Sequence, residues 1–372
     1  TADRPLATLE AARDLLRNLR NNKQDGAAKV IIHEGTYDLG RSLVFDQRDG
    51  GTEETPVIWT AAPGENVSIT GGHSINGNSF KPVKDKIILK RLPAGVGKHI
   101  VQIDLNKEGV RSFGEHRQYG HSLPVIPSAI ELFFNGEPMT LARYPNKGAM
   151  KIGKVEDMGS VPRIGDKSNR GAVFAYTDDR HKKWAGSKDI WIQGTLNYGF
   201  ADDYNPIAAI DTINGWVKLG KPHLYGVASG KDFQEYVAIN ILEELDEPGE
   251  WYLERTTGIL YFWPPAKIEN AKINVSVLED PIICLEGVSY LQIRNVTVEA
   301  GRGIGICASC FAIWFETRKK ISNWNTTSIM GVMLMPISPL PNRRGIRISD
   351  LPQEVRAASA APPVRPPPVD SF

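Results

Sequence analysis

The sequence predicts an all-β fold: a right-handed parallel β-helix with an N-terminal capping helix and an inserted antiparallel β-sandwich or barrel. Two observations lead to this prediction. Four short apolar runs follow one another between turn residues, namely Val30 to Ile32, Leu43 to Phe45, Val57 to Trp59 and Val67 to Ile69. Short β-branched runs of this kind are typical of strands. No helical pattern lies between them, so the chain must pass from strand to strand through turns, as the coils of a solenoid do.

Composition excludes some functions. Among its 372 residues the chain has 44 Lys and Arg and 43 Asp and Glu, which gives a net charge of +1. This balance offers no electrostatic basis for binding nucleic acid or a membrane surface. No apolar run of about twenty residues is present to cross a bilayer. No basic, apolar leader precedes Thr1, so a secreted or periplasmic location is expected only on indirect grounds.

An N-terminal helix is predicted from residue 9. Thr8 is a good N-cap. Apolar residues follow it at helical spacing: Leu9, Ala12, Leu15, Leu16 and Leu19. A solenoid would otherwise expose apolar side chains and unpaired strand edges at its open end. The helix is therefore predicted to cap the first coil.

Four segments, in this order and at this spacing, resemble a known family: Pro5-Leu-Ala-Thr-Leu-Glu-Ala-Ala-Arg-Asp, Glu34-Gly-Thr-Tyr, Pro56-Val-Ile-Trp-Thr-Ala-Ala-Pro-Gly-Glu and Ile69-Thr-Gly-Gly. From about Arg4 to Gly305 the chain resembles the secreted bacterial carbohydrate-active enzymes that have a right-handed, pectin-lyase-like β-helix. Within that family it is most similar to the β-helix glycoside hydrolases, which include α-L-fucosidase and xylanase activities. The pectate-lyase-like polysaccharide lyases are more distant. The resemblance implies a fold but not a substrate, because one solenoid carries many chemistries.

An inserted antiparallel domain is predicted over residues 126–272. Its signals are two hairpin turns, Asn135-Gly136 and Thr257-Gly258, between short apolar strands. The capping helix and the first coils then occupy residues 1–125. Short strands from Ile273 onward are predicted to resume the solenoid over residues 273–310.

The strand pattern ends past Cys307, and residues 311–372 are predicted to form a Pro-rich, disordered tail. One hypothesis is that the sequence is truncated or out of frame there. The alternative is a genuine Pro-rich tail. The family resemblance implies catalytic acids on coils beyond Gly305, where the match ends, so none of them can be carried over to this chain.

A candidate site lies at Asp202 and Asp203. Hydrolysis of a glycosidic bond usually needs two carboxyl groups, one as acid and one as nucleophile or base. The nearby Tyr198, Phe200 and Tyr204 could offer flat apolar faces to a sugar. Asp202 and Asp203 are therefore the candidate catalytic pair, with Tyr198 and Tyr204 as substrate-binding residues. A solvated turn with Asp capping backbone N–H groups is the competing interpretation, and general experience with such turns favours it.

Arg143 and Tyr144 are further candidates for substrate binding. A guanidinium group can hold a carboxylate or sulfate with two hydrogen bonds. The alternative is that Arg143 pairs with a neighbouring acid such as Glu131 and holds the inserted domain against the solenoid.

No metal site and no organic cofactor is predicted. The acidic run Glu243-Glu-Leu-Asp-Glu247 lacks EF-hand spacing and is interpreted as a solvated charged turn. The seven His residues are scattered, and Cys307-Ala-Ser-Cys310 lacks the second pair that a zinc site needs. Calcium binding is left open only by the resemblance to the polysaccharide lyases.

Three function classes remain open. The first is a secreted or periplasmic glycoside hydrolase, or a fragment of one, that acts on a complex polysaccharide. The second is a polysaccharide lyase, in which a basic residue removes the proton α to a uronate carboxylate. The third is a non-catalytic carbohydrate-binding or structural β-helix. In each class the partner is a polysaccharide or oligosaccharide, and the chain is expected to act as a monomer. Weak or no catalysis is expected, because the catalytic coils of the family lie outside the match.

Overall fold

The computed structural model describes residues 5–21, 27–124, 127–309 and 314–316. This part of the chain is mostly β with few helices, which confirms the predicted all-β class. The α-helices are α1 Leu9–Asn21, α2 Lys86–Arg91 and α3 His181–Trp184, and 3-10 helices cover Gln47–Asp49, Gly77–Ser79, Pro162–Ile164 and Leu242–Glu244. The longest described helix has 13 residues, and none of those described could cross a membrane. Apart from residues 314–316, the predicted tail lies outside the described residues.

The strands are numbered in chain order. They are β1 Ala28–Ile32, β2 Gly35–Asp38, β3 Leu43–Asp46, β4 Val57–Ala61, β5 Val67–Thr70, β6 Gly72–Ile75, β7 Lys81–Pro82, β8 Val101–Asp104, β9 Leu132–Phe134, β10 Glu137–Pro138, β11 Thr140–Leu141, β12 Arg143–Tyr144, β13 Met150–Lys151, β14 Val155–Asp157, β15 Val173–Ala175, β16 Trp191–Thr195, β17 Asp202–Asp211, β18 Trp216–Leu219, β19 Glu235–Ile239, β20 Glu250–Glu254, β21 Ile259–Phe262, β22 Ile273–Ser276, β23 Ile283–Glu286, β24 Leu291–Arg294, β25 Val296–Glu299, β26 Ile306–Ser309 and β27 Trp314–Glu316.

Three sheets contain only parallel strands: β1-β4-β24-β27, β2-β5-β25 and β3-β23-β26. In each sheet an early strand pairs with one from the far end of the described chain, for example Phe45 with Leu285 and Trp59 with Ile293. The four apolar runs lie within β1, β3, β4 and β5, so these strand predictions are confirmed. The three sheets share one core, in which Phe45 packs edge-on against Trp59 with ring centroids 5.0 Å apart. Burial of side chains of this size stabilises the fold by about 2–3 kcal/mol each.

Helix α1 is the predicted N-terminal helix, and it packs on this shared core. Thr8 Oγ1 accepts a hydrogen bond from the backbone N–H of Ala11 at 3.1 Å, as an N-cap should. Leu9 is buried in the core, and Arg17 donates to Asp46 at 3.1 Å and to Asp49 at 2.6 Å. Strand β3 ends at Asp46 and is the edge strand of its sheet. The helix therefore covers an edge that could otherwise pair with another chain.

Between β5 and β23 the chain leaves the parallel sheets, and the antiparallel pairs of the described chain come from this part. Its sheets are β10-β9-β22-β6, β11-β20-β21-β8-β7 and the eight-stranded sheet β12-β19-β16-β17-β18-β15-β14, with β13 also paired to β19. Both predicted hairpin turns are confirmed. Asn135 and Gly136 have φ angles of 54° and 83° between β9 and β10, which is the pattern of a type I′ turn. The Thr257-Gly258 turn connects β20 to β21.

Helix α3 packs against the core of the eight-stranded sheet. Its Trp184 is buried and donates through Nε1 to Glu244 at 2.7 Å. Glu244 is fully buried and also accepts from Arg180 at 2.7 Å. The interpretation of Glu243 to Glu247 as a solvated turn is therefore wrong for Glu244. Two donors hold its carboxylate inside the fold, where an unpaired charge would be costly.

Candidate functional site

Strand β17 carries both candidate acids, but it presents them on opposite faces. Successive side chains of a strand alternate between the two faces of a sheet. Asp202 is exposed, whereas Asp203 is only 3% exposed. The two carboxyl groups therefore do not flank a common point at which one glycosidic bond could lie.

Asp203 belongs to a buried hydrogen-bond network. Its carboxylate accepts from Gln118 Nε2 at 3.0 and 3.1 Å and from Asn205 Nδ2 at 3.0 Å. Burial raises the pKa of Asp203, and the hydrogen bond from Asn205 and the nearby His223 oppose that rise. The segment around Gln118 also pairs with β17 through an isolated bridge between Gly120 and Asp203. Asp203 thus fastens this segment to the eight-stranded sheet.

An exposed group of aromatic rings lies next to Asp202. This aromatic surface consists of His121, Tyr198, Phe200, Tyr225 and Phe233. Tyr198 and Phe200 are 49% and 62% exposed, and their rings are stacked with centroids 5.5 Å apart. Tyr225 meets both rings edge-on at 5.1 and 5.9 Å, and His121 meets Phe200 at 5.2 Å. The structure therefore groups Tyr198 and Phe200 on one surface with three further rings, and the carbonyl of Asp202 accepts a hydrogen bond from the backbone N–H of His121 at 3.0 Å.

A tight turn places the two most exposed rings. The backbone N–H of Ala201 donates to the carbonyl of Tyr198 at 2.9 Å, which closes the turn. Gly199 lies between the two ring-bearing residues, and a β-carbon there would be 3.3 Å from the ring of Phe233. The missing side chain at Gly199 lets Phe233 join the aromatic surface.

Tyr204 does not belong to this surface. It is 3% exposed, and its ring stacks on Trp191 at 4.9 Å and on Tyr119 at 4.5 Å. Its hydroxyl lies 2.8 Å from Nδ1 of His116. Of the candidate substrate-binding tyrosines near Asp202, only Tyr198 is therefore accessible in this structure.

Arg143 and Tyr144 lie away from Asp202. Strand β12 is separated from β17 by β19 and β16, and the register offset along β19 is four residues. At standard strand spacings this corresponds to about 20 Å. The Arg143 side chain donates to the carbonyl of Pro145 at 3.2 Å, and no ion pair with Glu131 occurs among the described residues. Tyr144 donates its hydroxyl to Asp178 at 2.7 Å, and Arg180 lies 4.8 Å above its ring.

A cleft rich in arginine forms a second candidate site. This arginine cleft has a volume of about 380 Å³, and its charged lining residues are Arg111, Glu115, Arg117, Glu279 and Arg302. Arg302 is 5% exposed and donates to the carbonyl of Ser128 at 2.8 Å and to Glu279 at 2.7 Å. A β-carbon at Gly114 would overlap its guanidinium group. Glycine at this position is therefore required for Arg302 to reach the cleft.

Glu131 lies beside the arginine cleft, and its carboxyl group has unusual acidity. Burial raises the pKa of Glu131 to about 7, although a hydrogen bond from Ser128 and the charge of Arg302 oppose the rise. Such a group can hold or release a proton near neutral pH, as a general acid must. The sequence analysis treated Glu131 only as a partner for Arg143. No local signal marked Glu131, because alternation places it on the face opposite to its buried neighbours Ile130 and Leu132.

The described residues contain no group of three or more His, Cys, Asp or Glu side chains placed to hold a metal ion. Cys284 of β23 and Cys307 of β26 are register partners, and both are free thiols. Cys310, the other half of the Cys-x-x-Cys motif, lies outside the described residues.

Comparison with known proteins gives a fold likeness only. No family model and no curated protein matches the chain. A solved structure described as a glycoside hydrolase matches with a TM-score of 0.58 and 18% identity, over 83% of this chain and 48% of that one. The chain thus spans about half the length of this glycoside hydrolase, and at this identity the likeness shows the fold alone.

Two further solved structures match at TM-scores too low to bear on the fold. One is XylC in complex with xylose, with a TM-score of 0.32 and 11% identity over 83% of this chain and 33% of that one. The other is the Gp54 tailspike of Acinetobacter baumannii bacteriophage AP22 in complex with a capsular saccharide. It has a TM-score of 0.14 and 10% identity over 82% of this chain and 33% of that one.

Proposed function

We propose that this protein is carbohydrate-active and binds a neutral glycan on the aromatic surface. The observation that carries the proposal is the exposure of Tyr198 and Phe200 beside Asp202, on a fold that resembles that of a glycoside hydrolase. Aromatic rings offer flat apolar faces to the C–H groups of a sugar, and a neighbouring carboxylate can accept hydrogen bonds from its hydroxyls. Exposed apolar groups of this kind often mark binding sites.

The proposal includes the architecture expected from the sequence. In it, each coil of a right-handed parallel β-helix contributes one strand to each of the three parallel sheets. The chain between β5 and β23 is an antiparallel insert, which begins earlier than the residue 126 expected from the sequence. The parallel registers of β3, β4 and β5 with β23, β24 and β25 support this arrangement. Strands β6 and β8 pair antiparallel with β22 and β21, which favours an insert that begins soon after β5. Because many complex polysaccharides lie outside cells, the proposal also includes a secreted or periplasmic location.

Binding to a panel of immobilised neutral polysaccharides tests the aromatic surface. Phe200→Ala and Tyr198→Ala are each expected to weaken retention of the bound glycan by about tenfold, since each removes a large apolar contact. Ile213→Ala is the matched control. Ile213 is 93% exposed, at a different turn, and its replacement should leave retention unchanged. If the chain binds a glycan and both ring variants bind it as tightly as the wild type, the aromatic surface is not the binding site.

Glycoside hydrolysis at the arginine cleft is a second candidate function, favoured by the raised pKa of Glu131. Glu131, which lies close to Arg302 but does not itself line the cleft, would hold the proton for the leaving oxygen. Glu115 or Glu279, which do line it, would supply the ionised carboxylate. The lyase alternative would use the cleft arginines on an acidic sugar. Release of reducing ends without new ultraviolet absorbance marks hydrolysis, and an unsaturated product marks a lyase. Hydrolysis that persists in Glu131→Gln would rule out this role for Glu131.

A further inference from the structure

Two free thiols, those of Cys284 and Cys307, lie side by side in one parallel sheet. Cys284 belongs to β23 and Cys307 to β26, and the two residues are direct register partners. Strands β24 and β25 lie between them in the chain, so it is the fold that brings the thiols together. Neither cysteine belongs to the aromatic surface or lines the arginine cleft, and neither proposed function uses them.

Both thiols lie on the outer face of the sheet. The side chains of Ile283 and Leu285 are buried in the core that the three parallel sheets share, whereas Cys284 between them is half-buried. Successive side chains of a strand alternate between the two faces, and register partners project from the same face. Cys307 is also half-buried and therefore lies beside Cys284, away from the core. A small reagent in solution can reach both sulfur atoms.

The spacing of the two strands suits a disulfide bond. Neighbouring strands of a sheet lie about 4.8 Å apart, and the α-carbons of disulfide-bonded residues are about 4.4–6.8 Å apart. The β-carbons must come within about 4.5 Å of each other, so the two strands need to approach only slightly. In the described part of the chain β26 pairs with β23 alone, which leaves its other side free to follow this small shift.

Electrostatics also favours removal of the two thiols. Burial raises the pKa of Cys284, the neighbouring Cys307 adds to the rise, and a hydrogen bond with Ser42 opposes it. The contribution of Cys307 arises because two thiolates at this separation would repel each other. A disulfide bond contains no ionisable group, so its formation abolishes the repulsion.

We propose that Cys284 and Cys307 form a disulfide bond that fastens β26 to β23, with a small disulfide such as oxidised glutathione as the oxidant. One cysteine thiolate attacks a sulfur of glutathione disulfide and releases the first glutathione. The second cysteine then attacks the resulting mixed disulfide and releases the other. The two glutathione thiols take up the two protons that the cysteines lose. The proposed secreted or periplasmic location would supply an oxidising medium, but the reaction itself does not depend on that location.

Peptide mapping of the native full chain tests the bond. The protein is incubated with oxidised glutathione, its remaining thiols are blocked, and it is digested without reductant. Trypsin cuts after Arg294 and Arg302, so Cys284 lies on one peptide, and Cys307 and Cys310 share another. A linked pair of these peptides that dithiothreitol separates supports the proposal. If both peptides carry only glutathione or the blocking reagent, or if Cys307 is bonded to Cys310, the proposal is wrong.

Two variants identify the cysteine that pairs with Cys284. Cys310→Ser is the matched control and should keep the link, whereas Cys307→Ser should lose it. A link that persists in Cys307→Ser would assign the bond to Cys310 and overturn the proposal.

The rate of ring closure in Cys310→Ser tests whether the sheet holds the thiols together. Closure from the mixed disulfide should be at least about tenfold slower in concentrated urea than in the native protein, because the fold raises the effective concentration of the second thiol. Equal rates in the folded and the unfolded chain would refute the assignment.

Discussion

Replacement of Glu131 by Gln tests the physical origin of its acidity. Burial raises the pKa of Glu131 from the ordinary 4.5 to about 7, a difference of about 2.5 pH units. Between these values the unfolded chain has lost the proton and the folded chain still holds it. The carboxyl group therefore stabilises the fold fully below pH 4.5, and this contribution is lost as the pH rises to 7. Each pH unit corresponds to about 1.4 kcal/mol, so the total is about 3 kcal/mol.

Glutamine resembles the protonated acid but cannot ionise. Glu131→Gln should therefore match the wild type near pH 4.5 and become more stable relative to it as the pH rises, by up to about 3 kcal/mol above pH 7. Urea unfolding of both proteins at several pH values measures this difference. Glu137→Gln, which removes an exposed carboxylate from the neighbouring strand β10, is the control. If the difference in unfolding free energy between Glu131→Gln and the wild type does not change with pH, the carboxyl group is well solvated. A variant that becomes less stable at high pH would show that ionised Glu131 pairs productively with Arg302.

Two further predictions concern single contacts in the fold. Thr8→Ala removes the N-cap of α1 and should lower the free energy of unfolding by about 1 kcal/mol in a denaturant titration. Thr8→Ser keeps a hydroxyl that can cap the helix, so it should retain most of the wild-type stability. Gly114→Ala places a β-carbon against Arg302 at a position with φ 62°, which alanine adopts poorly. It should cost at least about 2 kcal/mol, because Arg302 loses its contacts with Ser128 and Glu279. Wild-type stability in either alanine variant would contradict the contact concerned.

Local signals in the sequence were sufficient for several elements. The cap at Thr8 and the turn at Asn135-Gly136 depend on residues within a few positions of one another, so their structures could be predicted directly. The pairing partners of the early strands could not be predicted in this way. Phe45 pairs with Leu285 across most of the chain, and no local pattern records which distant strand lies beside which.

The candidate site shows the same limit. Asp202 and Asp203 are adjacent in a strand, so alternation alone would have separated them once the strand was recognised. Tyr204 was predicted to face the substrate, but Tyr119 and Trp191, which enclose it, come from other segments. The pKa of Glu131 depends on burial by residues distant in sequence, which composition and spacing do not reveal.

The two glycan proposals depend on different parts of the fold. The aromatic surface is carried by turns of the eight-stranded sheet and by the segment that Asp203 fastens to it. The arginine cleft requires Arg302, which follows β25, to reach the carbonyl of Ser128 before β9. That contact depends on the antiparallel pairing of β9 with β22, since Leu278, which follows β22, accepts a hydrogen bond from the backbone N–H of Arg302. A substitution at Gly114, which lies against Arg302, should therefore alter the cleft while the aromatic surface stays intact. The two sites can then be assigned separately in one protein.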